Sequence, residues 1–78
     1  MTGQMIQKNI KLSMEFDTYA AQHPRVLKSI PHRANVIVTS EKDEKLSNAN
    51  RAIARNSRSG KFIEARKTGK KWEIKRIK

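Results

Sequence analysis

From Gln4 to about Gln22 the apolar positions recur with a helical period. At about 100° per residue, Met5, Leu12, Phe16, Tyr19 and Ala20 share one face, and Ile6, Ile10, Met14 and Ala21 fall on an adjoining one. Lys8, Lys11, Glu15 and Thr18 take the remaining arc. Good helix formers fill the segment, and neither Pro nor Gly interrupts it before His23-Pro24. There the residue preceding the proline is pushed out of the α region, and the helix must end. The apolar arc is wider than contact with one sheet requires, so either a second element or a second copy of the chain covers the rest. Pro24 to Ile30 predicts a short helical turn with Pro at its first position and Val26, Leu27 and Ile30 inward; Pro31 stops it.

The pattern then changes period. Ala34–Thr39 is the main β-branched run, and its Val36, Ile37 and Val38 are consecutive rather than alternating. Such a run predicts a strand covered on both faces, as in a parallel or mixed sheet. Ser40 is the expected N-cap of the next helix, with Asp43 three residues on in the manner of a capping box. Glu41, Asp43 and Glu44 put negative charge at the positive end of the helix dipole. Leu46, Ala49 and Ile53 form its expected inward stripe, and Ser59-Gly60 its stop. Lys61–Lys67 and Lys70–Lys78 read as two strands joined at Thr68-Gly69, with Trp72 and Ile74 on one side of the last. A strand–helix–strand unit of this kind is right-handed and leaves its two strands parallel, and the final hairpin adds an antiparallel third. The expected fold is a single small α/β domain over residues 1–78, in the order α(α)βαββ. Its helices pack on a three-stranded mixed sheet, with residues 1–3 and 77–78 frayed.

Size and charge change this picture more than composition does. A 78-residue chain buries only about 60% of its unfolded surface, so its core is thin. With one Trp, one Tyr and two Phe, a homo-oligomer sharing apolar surface is expected, and Met5, Ile6, Ile10, Leu12, Met14 and Phe16 are its candidate interface. The net charge is +11, and it is unevenly placed. Residues 1–50 carry 7 basic and 5 acidic side chains; residues 51–78 carry 11 basic and 2 acidic, a net of +9. That asymmetry points to an anionic partner: DNA or RNA, an acidic protein, or a lipid surface.

Two stretches resemble a small family of uncharacterised prokaryotic proteins of about this length. One runs from Lys8-Asn9 through Phe16-Asp17, Tyr19 and His23-Pro24. The other runs from Ile30-Pro31 through Ala34-Asn35-Val36-Ile37-Val38 and an acidic segment to Asn50. The resemblance covers about residues 6–67 and rests on the order of a helix ending in His-Pro, an Ile-Pro and a following buried strand. It carries over no catalytic or binding residue. The C-terminal part of that family is less basic, which makes the charged tail a property of this chain.

Several chemistries lack their residues. The chain has no cysteine, so disulfides, thiolate nucleophiles and cysteine-based metal sites are excluded, in keeping with a reducing cytoplasm. No window approaches the roughly 18 apolar residues of a membrane span, and the N-terminus carries no apolar signal core. The two histidines, His23 and His32, flank prolines at loop positions, and no metal-ligand spacing surrounds them. Gly3, Gly60 and Gly69 are isolated, and the first strand runs into Ser40-Glu41, so no phosphate-cradling loop is present. No nucleophile elbow is present either. No metal and no cofactor are expected.

What remains is a basic surface. Arg51, Arg55 and Arg58, spaced i, i+4, i+7, line one helix face away from the apolar stripe. The hairpin adds Arg66, Lys67, Lys70, Lys71, Lys75 and Arg76, with Lys78 beyond. Such a stripe follows a phosphate backbone rather than reading bases. The leading expectation is a non-enzymatic basic module that contacts nucleic acid through its C-terminal third. Two alternatives stand beside it: a protein-interaction subunit, as in a toxin–antitoxin-like pair or a homo-oligomer, and a metal-independent ribonuclease using Lys, Arg, His, Glu or Tyr as acid and base.

Overall fold

A computed structural model describes residues 2–58 and 60–77. Met1, Ser59 and Lys78 lie outside the described residues, and with them part of the fraying expected at the two chain ends, the Ser59 half of the helix stop and the Lys78 charge; of the other residues expected to fray, Thr2 caps α1, Gly3 opens it, and the Ile77 N–H donates to Phe62 O at 2.9 Å. The elements are α1 (Gly3–Gln22), α2 (Pro24–Lys28), β1 (Asn35–Ser40), α3 (Glu44–Asn56), β2 (Phe62–Thr68) and β3 (Lys71–Arg76). The sheet order is β1-β2-β3, with β1 and β2 parallel and β2 and β3 antiparallel. This is the α/β order and mixed sheet that the pattern predicts.

Each boundary has a local cause. Thr2 caps α1 by accepting the Met5 N–H at 3.2 Å. The helix ends at His23, whose ring stacks on Tyr19 at 3.9 Å and whose Nδ1 lies 2.8 Å from the Tyr19 carbonyl. Pro24 then starts α2, whose Val26, with Ile30 just beyond, packs partly on the core, whereas Leu27 turns outward. Gly69 closes the β2–β3 turn at φ 62, a conformation that costs a residue with a Cβ about 1–2 kcal/mol.

Alternation along β2 sends Ile63, Ala65 and Lys67 to one face of the sheet and Phe62, Glu64 and Arg66 to the other. The first face carries the core. Leu12, Phe16 and Ala20 of α1 pack there with Val38, Ala65, Trp72 and Leu46. Phe16 and Trp72 meet at 5.1 Å with their rings tilted by 58°, a favoured aromatic geometry. Burying each such ring contributes about 1.5–3 kcal/mol.

Three local expectations are corrected. First, β1 is an edge strand covered on both faces only toward its C-terminal end. Val38 and Thr39 are buried, but Asn35 and Val36 are exposed and Ile37 is half-buried. Second, Asp43, not Ser40, caps α3: its carboxylate accepts the Leu46 N–H at 3.1 Å. Ser40 is still part of the strand. Third, the inward face of α3 is Leu46, Ser47, Asn50 and Ala54, and Ile53 is exposed.

One arrangement explains all three. The Asn35 N–H donates to Lys61 O and the Glu41 N–H to Lys67 O, so the odd-numbered amides of β1 face β2. The even-numbered ones point to the free edge, and α3 lies along that edge. Asn50 Nδ2 donates to Val38 O at 2.7 Å. The Ser40 N–H donates to Ser47 Oγ at 2.9 Å, and the Ser47 hydroxyl is within donating distance of Ser40 O at 3.0 Å and Asp43 O at 2.8 Å. The helix therefore turns polar residues inward, because it satisfies an open strand edge as well as filling a core. Asn50 also donates to Asn9 Oδ1 at 3.1 Å, tying α3 to α1.

Candidate functional site

The second sheet face carries the unusual chemistry. Glu64 stands on β2 between Phe62, Ile63 and Ala65, and it is 5% exposed. Arg51 of α3 reaches it twice, Nε to Oε1 at 3.1 Å and Nη2 to Oε2 at 2.8 Å. The buried Thr39 hydroxyl donates to Oε2 at 2.6 Å. Arg66, one pleat along β2, places Nη1 4.0 Å from the same oxygen and donates from Nη2 to Glu44 at 2.6 Å. Glu44 also lies 3.8 Å from Arg51. Arg51, Glu64, Arg66 and Glu44 thus form a closed ring of two cations and two anions with no net charge.

The hydrogen bonds from Arg51 hold the Glu64 carboxyl below its ordinary range, against burial, which pushes it up; the Thr39 hydroxyl and the charges of Arg51 and Arg66 add to the lowering. The Arg51 guanidinium is held still more firmly protonated, first by its hydrogen bond to Glu64. Both groups stay charged at any physiological pH.

Beside this ring lies an open depression of about 620 Å³. Arg51, Glu64 and Arg66 of the ring line it, together with Arg55, Glu73, Lys75, Arg76 and Ile77. Five of the nine candidate cations therefore converge from α3, β2 and β3. The others do not join them. Arg58 follows the end of α3 at Asn56, and the extended Ser57 breaks the i, i+4, i+7 stripe after Arg55. Lys67 is on the opposite sheet face, paired with Glu15 at 2.8 Å. Lys70 belongs to the β2–β3 turn and borders a separate hollow beside Tyr19 and Trp72, and Lys71 stands at that same end of β3.

Arg51 also departs from expectation, because it is committed to Glu64 with a side chain only 21% exposed. Sequence reasoning placed Glu44 only at the helix dipole and gave Glu64 and Thr39 no part in a site. A lone carboxylate inside the apolar run Phe62-Ile63-Glu64-Ala65 is the signal that marks Glu64. Arg55, Lys75 and Arg76 have no ion-pair partner among the described residues. With the ring neutral and Glu73 opposing, the depression's uncompensated charge is three cations against one anion.

Of the residue types considered for acid–base chemistry, Arg, Lys and Glu meet at the depression, but the two histidines do not. His23 caps the end of α1, His32 sits exposed in the loop before β1, and neither lines the depression. Among the described residues no three His, Cys, Asp or Glu side chains are grouped to hold a metal ion. Among them also, no helix is long and apolar enough to cross a membrane. Of the candidate interface on α1, Leu12 and Phe16 are buried in the chain's own core and Met5 packs against it, while Ile6, Ile10 and Met14 are exposed.

The fold and this surface define a small α/β protein with a three-stranded mixed sheet and a cationic hollow beside a neutral charge ring. A family model described as a family of unknown function, DUF5647, matches residues 4–71, and the chain belongs to that family. No curated protein and no solved structure matches it.

Proposed function

We propose that the chain is a small, non-enzymatic basic module that contacts nucleic acid through its C-terminal third, with backbone phosphates seated over the depression beside α3. The observation that supports this reading is the convergence there of Arg55, Lys75 and Arg76, three cations with no ion-pair partner among the described residues. The neutral ring of Arg51, Glu64, Arg66 and Glu44 serves as their scaffold: it fixes α3 against β2 and adds no net attraction. Phe62 and Trp72 are both buried and neither lines the depression beside α3, so the surface offers phosphate contacts without base stacking. Binding is therefore insensitive to sequence and sensitive to salt.

Fluorescence anisotropy with unrelated duplexes and single strands, at several salt concentrations, tests this. Three neutralised phosphates give a log–log slope of roughly −2 to −3. Replacing Arg55, Lys75 and Arg76 together by Gln removes most of that slope and leaves the circular dichroism unchanged. Absence of binding at about 50 mM salt, where phosphate contacts are strong, overturns the nucleic-acid reading and leaves an acidic protein as the partner to seek.

A further inference from the structure

We propose that α1 is a homodimerisation helix, which pairs antiparallel with α1 of a second copy about a two-fold axis at Ile10. Ile6, Ile10 and Met14 recur every four residues and are 48%, 56% and 64% exposed. They lie on a different arc from Leu12, Phe16 and Ala20, which bury the helix in its own core. At about 100° per residue, Gly3, Ser13, Asp17 and Ala21 fall on the same exposed arc. Lys8 and Lys11 do not. In a chain with 18 basic residues, this arc has no cation, and its one charge is the Asp17 carboxylate.

Charge complementarity selects a second copy as the occupant. An antiparallel pair centred on position 10 sets Ile10 against Ile10, Ile6 against Met14, and Gly3 against Asp17, because 3 and 17 are each seven residues from the centre. Asp17 has no ion-pair partner among the described residues. Across the axis it meets the positive end of a helix dipole, where the Thr2 hydroxyl and carbonyl occupy the Met5 and Ile6 N–H groups and leave those of Gly3 and Gln4 facing outward. The same arc thus supplies both halves of each contact, as a two-fold interface requires. An acidic partner finds no cation here. A lipid surface is disfavoured because the arc's only charge is negative.

The patch is small, so the dimer is a weak one, with a dissociation constant in the micromolar range. Both copies carry +11, so dimerisation strengthens as salt screens their repulsion, opposite to the salt response of polyanion binding.

The absence of cysteine makes the register directly testable. Ile10→Cys is expected to form a disulfide-linked dimer under mild oxidation. Ile6→Cys and Met14→Cys, each alone, are expected to crosslink poorly, whereas their mixture gives the heterodimer. Sedimentation equilibrium of the unmodified chain should show a mass rising above 9.0 kDa with concentration. Ile10→Glu, a change at an exposed position, should hold it at the monomer mass, with a melting temperature unchanged at concentrations below the dissociation constant. A monomer at all concentrations up to about 0.5 mM, well above a micromolar constant, overturns the proposal. Equal crosslinking of Ile6→Cys alone and Ile10→Cys overturns it as well, because no single antiparallel axis brings both positions to themselves.

Discussion

Glu64→Gln is the sharpest probe of how this small domain is held together. The substitution keeps the volume and one acceptor oxygen but removes the charge that accepts two hydrogen bonds from Arg51 and one from Thr39. An exposed ion pair contributes about 0–1 kcal/mol, whereas removing one partner of a fully buried pair costs about 3–5 kcal/mol. Glu64 is 5% exposed, but the Arg51 side chain is 21% exposed and can recover part of its hydration. The expected loss therefore lies between those limits, at about 2 kcal/mol. For 78 residues the total stability is on the order of 4–12 kcal/mol, so this is a large fraction. It corresponds to a fall in Tm of about 8–16 °C.

Urea unfolding followed by the single tryptophan, Trp72, which is buried against Phe16, gives the number directly. Acidification supplies an independent check. Because the folded Glu64 is held below its ordinary value of 4.5, the unfolded chain binds its proton first as the pH falls. The contribution is therefore complete above about pH 4.5 and is lost as the pH drops through the folded value. The gap between wild type and Glu64→Gln should close over that range. Arg51, raised from an already high value, contributes no pH dependence in the physiological range. A loss below about 0.5 kcal/mol would place the ring among ordinary surface pairs and refute the reasoning. Parallel acid curves for the two proteins would do the same.

Two further substitutions test the open-edge arrangement of β1. Ser47→Ala leaves the Ser40 N–H without its acceptor and should cost about 1–3 kcal/mol. Hydrogen exchange at the Ser40 amide should accelerate, while the Asn35 amide, bonded to Lys61, keeps its protection relative to global unfolding. Val38→Asp, at a position 4% exposed, should abolish folding, since an unpaired buried charge is among the most damaging changes. Ile37→Asp, on the half-covered face, should give a folded protein of lower Tm. Equal damage from the two would show that both faces of β1 are covered along its length.

Element order and sheet pairing were legible in the sequence because they rest on local periodicity. The 3.6-residue recurrence of Met5, Leu12 and Phe16, the β-branched Val36-Ile37-Val38 and the Thr68-Gly69 turn signal each act within a few residues. The family resemblance over residues 6–67 is likewise carried by short ordered pieces, and the matched family spans residues 4–71. Only tertiary structure decided what the polar residues do. A charge count treats Arg51 and Arg55 alike, yet Glu64, 13 positions beyond Arg51, neutralises that residue and leaves Arg55 without an ion-pair partner among the described residues. Ser47 and Asn50 stand outside the apolar stripe that the sequence predicts for α3, and only the free edge of β1 supplies their partners. Hydrophobic period is written locally, residue against neighbour, whereas the pairing of a charge or an amide depends on which distant group the fold sets within hydrogen-bond reach, and that distance exists only once the chain has closed.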